Sequence, residues 1–511
     1  MLKAPITKRQ QQLLLMAAAV SSSCGLAVEL LLGTLASYLV GNQALAYGVA
    51  VGGFLAAMGI GSYFSKYIAT NPDANFQQAE LLHAFVKVEL AISPLTALLP
   101  LGLFALFVYD GELWLGLCLS TIILGILAGL EVPLLTRVLE LESSLKDALA
   151  GVLALDYIGA LFGSIAFPLL LLPLFGMFPT GFILGALPAI MVFLLGREFK
   201  QLKFWKYIGL GIAAANLAIA PISIPLTNRL ENNLYQAPIV RRIQSQYQRI
   251  VLTRQGNDLR LFLDGDLQLS TIDEYRYHEA LIHPAMSANP RRKKVLVMGA
   301  GDGMALREVL KWSEVEEVVL IELDPAVVDL ASNYSQLLAA NGNPFDDSRV
   351  SVIYGDAFLK LRKLPEFDVI VADFPDPDRE IIAKLYSVGF YQQMLSRLAD
   401  DGVFVTQASS PFFAPKVISC IKQTLESTGL IASPYVANIP SFGPWGFVIA
   451  SKKAIAPNTL SLPIVTRYLT LTMLHNLFDL PKDLEIQEVE INRLAHPVIV
   501  RYQSDRRWLH Y

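Results

Sequence analysis

The chain has 511 residues, with 41 Lys and Arg against 45 Asp and Glu and a net charge of −4, which leaves no basic footprint for a nucleic acid. Its three cysteines, Cys24, Cys118 and Cys420, are spaced too widely for a disulfide framework or a zinc site, so core packing is their expected role. Charge is split rather than spread: 23 of the 86 charged residues fall in positions 1–228, where apolar runs dominate.

Those runs come first in chain order. A bilayer core of about 30 Å takes about 20 helical residues to cross. Seven stretches are predicted to do so, near 12–38, 45–68, 84–108, 113–136, 149–173, 178–196 and 205–226. The first follows Lys3, Lys8 and Arg9 and by itself would pass for a signal peptide, but six more follow, so it reads as a retained membrane helix. Lys66, Arg137, Lys146, Arg197, Lys200, Lys203 and Lys206 share the side of the N-terminus, while the alternate short loops hold no Lys or Arg. The positive-inside rule therefore puts the N-terminus in the cytoplasm. Seven crossings would then leave everything after residue 228 outside, although a domain using an intracellular nucleoside cofactor belongs in the cytoplasm. A multi-pass protein of the cell membrane with a cytoplasmic catalytic domain is expected, which requires one re-entrant run or a different count. Glu131 in LEVPLLTR and Asp156 in LDYIGALFGS fall in or near spans, where an acid is costly unless paired or wet. They read either as part of a polar cavity admitting an amine or proton, or as structural contacts, for instance Glu131 near Arg137.

Segment 227–245 reads as a polar connector. After it, RIVLTRQGNDLRLFLDGDLQLS reads as paired strands, with Gly256-Asn257-Asp258 turning the chain and Leu259, Leu261 and Leu263 in one phase. DEYRYHEALIHPAM is predicted to be helical, and Arg291, Arg292, Lys293 and Lys294 form a solvated entry to the next strand. The strands VLVMG, VVLIE, VSVIYGD, DVIVAD, GVFVTQ and GFVIA then alternate with helical patterns, which predicts a mostly parallel sheet with helices on both faces.

In such sheets ligands bind at the carboxyl ends of the strands. The acids fall there: Asp302, Glu322, Asp356 and Asp373 after successive strands, with Asp376 just behind in ADFPDPD. Any one would pass for a solvated turn residue, but five in succession predict a site. The turn Gly299-Ala300-Gly301-Asp302-Gly303 has Met304 where GxGxxG has its last glycine, which disfavours a nicotinamide dinucleotide, and no Walker lysine follows. Glu322 would accept the ribose hydroxyls and Asp356 the adenine amino group of an adenosine without phosphates. Asp302 would oppose the tail carboxylate of S-adenosylmethionine and favour a bare ammonium, which the decarboxylated donor carries on its aminopropyl tail.

Seven blocks, SQYQRI, LFLDGDLQLSTIDEYRYHEALIHP, VLVMGAGDGMALREVLK, VLIELDPAVV, GDAF, DVIVADFPDPD and VFVTQASSP, follow one another in an order that resembles the spermidine synthase (polyamine aminopropyltransferase) family. The whole chain looks like the membrane-fused branch. The resemblance implies a multi-span α-helical membrane domain followed by an α/β Rossmann-like domain of the class I methyltransferase type, with a small N-terminal β-strand subdomain. The segments are 1–228 for about seven transmembrane helices, 229–290 for the β-strand subdomain and substrate-gate helix, 291–455 for the Rossmann-like aminopropyltransferase domain, and 456–511 for a C-terminal extension, read as an appended helix and strand.

The resemblance also implies a reaction. The aminopropyl group of decarboxylated S-adenosylmethionine, a co-substrate and not a permanently bound cofactor, passes to putrescine or a related polyamine; with putrescine the products are spermidine and methylthioadenosine. Asp373 would take a proton from the attacking amine, assisted by Tyr277. Gln248, Gly299, Gly301, Asp302, Glu322, Asp356 and Ala357 would hold the donor, and Gln268, His278, Asp376 and Gln407 the diamine. No metal is expected, and no His or Cys spacing suggests one; the lipid bilayer and further copies of the chain are the expected partners. Two departures stand out. The family's GGGDGG is GAGDGM here, so Ala300 and Met304 are expected to narrow the turn, and Phe442 stands where some members have a tyrosine that contacts the amine. Competing readings are a transferase using another polyamine or intact S-adenosylmethionine, and a polyamine transporter or sensor whose soluble domain only binds.

Overall fold

The computed structural model describes residues 6–40, 43–71, 74–109, 111–235 and 237–504. The chain divides into two compact units, Met1–Gln236 and Ala237–Tyr511. The first is helical: α1 (Lys8–Val40), α2 (Gln43–Phe64), α3 (Ala74–Val108), α4 (Leu113–Glu140), α5 (Leu145–Ala166), α6 (Met177–Glu198) and α7 (Trp205–Leu234). After α5 the chain winds on through a wider π turn, Phe167–Leu171, and one more turn to Gly176, whose φ of 76° ends it. Among the described residues seven helices are long and apolar enough to cross a membrane, as the sequence predicts, so the conflict between span count and loop charge is not relieved by the fold.

Inside this unit small residues let backbones meet. A Cβ on Gly159 or Gly163 of α5 would come within 2.0 or 2.2 Å of the carbonyl oxygens of Ala19 and Ser23 on α1. Arg137 donates to the carbonyls of Ser65, Ile68 and Ala69 at 2.9, 2.7 and 2.9 Å, closing the end of α2, so the suggested neighbour of Glu131 is engaged elsewhere. Glu131 is buried and lines a small cavity with Ser21, Cys24 and Thr96, whereas Asp156 is half-buried. Glu89, which the hydropathy pattern hides, is buried and accepts a hydrogen bond from the Ser21 hydroxyl.

The second unit begins with an antiparallel sheet of β1 (Ile239–Gln244), β2 (Arg249–Gln255), β3 (Asp258–Leu263) and β4 (Asp266–Ser270), in that order. The expected polar connector at 227–245 is thus the end of α7 followed by β1, and the expected domain boundary at 228 falls within α7. Local pattern misses this because β1 alternates weakly, its residues all partly or fully exposed. Asp264-Gly265, at φ 51° and 99°, makes the two-residue turn that suits the right-handed twist of β3 and β4.

Helix α8 (Glu274–Ala288) leads to a seven-stranded sheet in the order β10-β11-β9-β8-β5-β6-β7. Its members are β5 (Lys294–Gly299), β6 (Glu317–Glu322), β7 (Val350–Tyr354), β8 (Phe367–Asp373), β9 (Leu398–Gln407), β10 (Ile431–Ile439) and β11 (Gly443–Ser451). β7, β6, β5, β8 and β9 run parallel, and β11 and β10 are added antiparallel. Strand β10, interrupted by Pro434 and bearing exposed Ile431, carries no pattern that the sequence reading picks up.

The two-residue strand period sorts the core. Val295, Val297, Val369 and Val371 face the layer of α8 and α9 (Met304–Leu310), while Leu296, Met298, Ile370 and Ala372 face the layer that includes α11 (Pro415–Glu426). After β6 comes α10 (Pro325–Asn333), whose Val327 and Leu330 pack with the small sheet; α12 is Val498–Gln503. The extension 456–511 contains short helices but no strand among its described residues, only an isolated bridge between Arg493 and His496. IQEVEIN instead runs extended against α11, its backbone held by side chains: Gln423 Nε2 donates to the Gln487 carbonyl at 2.8 Å and Asn492 N–H to Thr424 Oγ1 at 3.0 Å.

One residue of the glycine turn is strained. Ala300 has φ 61°, a left-handed conformation in which a Cβ is unfavourable. Ala300→Gly is expected to stabilise the protein by about 0.5–1 kcal/mol. Thermal unfolding of the detergent-solubilised chain measures this, and a lower midpoint for the variant would contradict it.

Candidate active site

From β5 the chain moves outward through β6 and β7, then returns to β8 on the other side of β5. Such a reversal places a ligand crevice at the carboxyl ends of β5 and β8. Gly299 pairs with Asp373 across that boundary, and a Cβ on it would come within 2.1 Å of the Asp373 carbonyl oxygen; at φ 79° only glycine suits. Gly301 lies against Glu322, whose Oε2 would be 2.8 Å from a Cβ there. Asp302 turns back onto its own helix, Oδ1 accepting from the Met304 N–H at 2.8 Å, and Asn341 Nδ2 donates to the Asp302 carbonyl at 2.9 Å. Met304 does not narrow the turn as expected. Its side chain is fully buried with Leu252, Leu259 and Leu261 of the small sheet, so Ala300 alone carries the departure.

Glu322, at the end of β6, is buried and accepts from the Asp324 N–H at 2.9 Å. Burial pushes its carboxyl up to about 7, with the charges of Asp324 and Asp302 adding to the effect. Gln248 does not stand free: its Nε2 donates to Asp324 Oδ2 at 3.0 Å, beside Ser245 Oγ at 2.6 Å, so it braces the loop after Glu322. Asp356 accepts from the Phe358 N–H at 2.9 Å and pairs with Lys384 Nζ at 2.6 Å, and Ala357 next to it is buried. Gln268 is half-buried on β4, its amide reaching only the Asp266 carbonyl at 3.4 Å.

Helix α8 supplies the next layer. Tyr277 Oη donates to Asp373 Oδ1 at 2.5 Å, and the Tyr277 ring packs near Phe442, Trp445 and Phe447 at 6.3, 6.5 and 5.3 Å between centroids. His278, one position on, is buried with Nδ1 at 2.9 Å from Glu274 Oε2, while Arg307 grips the same carboxylate through two bonds of 2.9 Å. Burial alone would lower the His278 pKa, but the Glu274 hydrogen bond and the charges of Asp302, Glu274 and Asp373 raise it to about 9. His278 is then a cation at neutral pH. Held by Glu274, it favours the ionised form of Asp373.

The end of β8 carries the second acid pair. Asp373 and Asp376 are half-buried, and desolvation raises each to about 6. For Asp373 the His278 charge and the Tyr277 hydrogen bond oppose that rise. Asp376 accepts from Gln407 Nε2 at 3.3 Å, Ser409 Oγ at 3.0 Å and Gln503 Nε2 at 2.9 Å. The Gln407 amide is spent on the protein, donating also to Phe374 O and Tyr386 Oη and accepting from the Ser409 N–H. Its amide nitrogen is thus engaged by the protein and helps to orient Asp376. Ser409, Gln503, Tyr386, Glu274 and Asn341 escape the sequence reading. Ser409 and Glu274 left a trace, in the VFVTQASSP and LFLDGDLQLSTIDEYRYHEALIHP blocks. None of Asp302, Glu322, Asp373 and Asp376 forms an ion pair among the described residues.

Because a donated hydrogen bond favours the carboxylate, Tyr277→Phe is expected to move the Asp373 titration above about 6. The carboxyl infrared band that disappears in Asp373→Asn reports this titration; no upward movement in Tyr277→Phe would count against the assigned interaction.

Residues 274–460 match the Spermine/spermidine synthase domain. Over 493 residues the chain is 40% identical to the polyamine aminopropyltransferase of Leptospira interrogans, covering 95% of this chain and 97% of that protein. Over 510 residues it is 40% identical to polyamine aminopropyltransferase 2 of Ralstonia nicotianae, covering 97% and 98%. A solved spermidine synthase in complex with the transition state analogue AdoDATO aligns over 48% of this chain and 88% of its own, at 30% identity and a TM-score of 0.45. Identity of this level sustained across both units means that the chain belongs to the polyamine aminopropyltransferase family.

Proposed function

We propose that the second unit moves the aminopropyl group of decarboxylated S-adenosylmethionine to putrescine, giving spermidine and methylthioadenosine. The observation that carries this reading is the set of four acids, Asp302, Glu322, Asp373 and Asp376, at the ends of adjacent strands with no ion pair among the described residues. An acid-lined crevice of this kind favours a cationic ligand at both ends of the reaction. Glu322 holds the donor ribose, Asp356 and Ala357 the adenine, and Asp302 the ammonium of the aminopropyl tail. Gln248 acts at one remove, through Asp324.

On the acceptor side the primary amine attacks the aminopropyl carbon next to sulfur. The C–S bond breaks, its electron pair leaves with methylthioadenosine, and the proton lost by nitrogen passes to Asp373. Tyr277 steadies that carboxylate as a hydrogen-bond donor, and its own hydroxyl stays protonated because burial, then the Asp373 charge, raises its pKa. Asp376 anchors the other end of the diamine, with Gln407 as its positioning residue; Gln268 lines the approach from β4. Holding both reactants in line supplies about 7–11 kcal/mol of the barrier.

Mass analysis of products tests the reading, with full-length protein, decarboxylated or intact donor, and a panel of diamines. Spermidine and methylthioadenosine from the decarboxylated donor alone are expected; methyl transfer from the intact donor would overturn it. Asp373→Asn is expected to lower kcat by about 10²–10⁴-fold with donor affinity nearly unchanged. Since Asp373 acts as carboxylate, activity is retained above about pH 6 and lost as pH falls through that value. The donor is an intracellular nucleoside, so we place the catalytic unit in the cytoplasm, with one of the seven apolar helices re-entrant. A C-terminal fluorescent-protein fusion should glow and the matching alkaline phosphatase fusion stay inactive; the reverse pattern would refute that side.

A further inference from the structure

The acceptor side of the crevice receives one contact from outside the matched domain. Gln503, the last residue of α12, is 9% exposed and donates from Nε2 to Asp376 Oδ2 at 2.9 Å. Its Oε1 is buried too, and it accepts no hydrogen bond from any described residue. A buried amide oxygen without a donor is unfavourable, and in a binding crevice the missing donor is naturally supplied by a ligand.

This placement is built rather than incidental. Upstream of α12, Asn492 Nδ2 donates to the Ala383 carbonyl at 2.9 Å and Cys420 Sγ to the Glu490 carbonyl at 3.3 Å, while Val498 and Ile499 are buried in the core layer of α11. These contacts fix the helix that ends at Gln503. Around Asp376, the Gln407 oxygen already accepts from Ser409 N–H, and the Ser409 hydroxyl already donates to Asp376. Gln503 Oε1 is the side-chain oxygen there that has no hydrogen-bond partner at all among the described residues. A primary ammonium brings three N–H donors, more than one carboxylate already holding three protein donors can satisfy.

We propose that Gln503 determines acceptor specificity by binding, together with Asp376, the ammonium at the non-reacting end of the diamine. Oε1 accepts one N–H from that ammonium while Nε2 keeps Asp376 oriented. The C-terminal extension thus completes the acceptor site. The proposal rests on the reading of Asp376 as the acceptor-side anchor.

The test uses the full-length enzyme with saturating decarboxylated donor, at a pH above the titration of Asp376, and compares Gln503→Met with Gln503→Glu. Met keeps the size and removes both polar atoms; Glu keeps acceptor oxygens and cannot donate to Asp376. Gln503→Met should raise the acceptor KM about tenfold or more, with kcat and donor KM changed by less than about threefold. Gln503→Glu should bring the acceptor KM back toward that of the wild type. An unchanged KM in Gln503→Met, or a Glu variant as impaired as the Met variant, overturns the proposal, because only the bond to Asp376 would then matter. Thermal unfolding verifies folding; should Gln503→Met fail that check, Gln503→Ala replaces it in the same comparison. A wild-type enzyme inactive on every diamine would instead defeat the proposed function, before Gln503 enters.

Discussion

Four carboxylates gathered at the ends of three adjacent strands, without a basic side chain bonded to any of them among the described residues, are the constraint around which the catalytic unit is arranged. For three of them enclosure works against the charge: Glu322 is pushed up to about 7, and Asp373 and Asp376 to about 6. With folded values above the ordinary carboxylate range, these groups favour the fold while protonated. That contribution is lost as pH rises through about 6 to 7, so at neutral pH the empty crevice holds acids partly against the fold's interest. A cationic ligand relieves the conflict, and affinity for cations is stored in the way the sheet ends.

The protein stabilises these acids with neutral donors more than with charge. Asp376 takes hydrogen bonds from two amides and a hydroxyl, Asp373 from a phenol, and Glu322 and Asp302 from backbone N–H groups. Neutral donors orient a carboxylate without cancelling its charge, which leaves it available to an ammonium. A cation nearby, His278, is held a step back by Glu274 and acts through space. Tyr277 comes from α8 on one face of the sheet and Gln503 from α12, which packs with the other face. Both bonds land at the end of β8.

The helical unit follows the complementary rule, with apolar length outside and a few acids within. Glu89 accepts from Ser21 through one oxygen and leaves the other buried without a partner among the described residues, and Glu131 lines the adjoining cavity, so these acids gather inside the bundle. Close helix packing at Gly159 and Gly163 makes that interior compact.

Periodicity and turn chemistry are local properties, and they made much of this protein legible in advance. Seven apolar runs became seven helices, the two-residue phase of β5 and β8 sorted into two core layers, and the glycine turn carried Asp302 to a strand end. What the chain's order could not convey was which side chains meet. β1 lacks a clean alternation because it lies at a sheet edge, where exposure blurs the pattern, and in β10 Pro434 and Asn438 break up a strand whose Tyr435, Ala437 and Ile439 are buried. Met304 looked like part of the turn and is packed under the small sheet, and the Glu274 and Arg307 pair beside His278 was not visible. Gln503 lies 127 residues from Asp376 in sequence, and nothing in its own surroundings marks it. The sequence by itself determined the two-part architecture, the strand ends and the acids on them, since these depend on neighbours a few residues apart. Only the tertiary structure decided how those acids are oriented and which distant amide completes their set, because hydrogen bonds between side chains far apart in sequence exist only once the chain has folded.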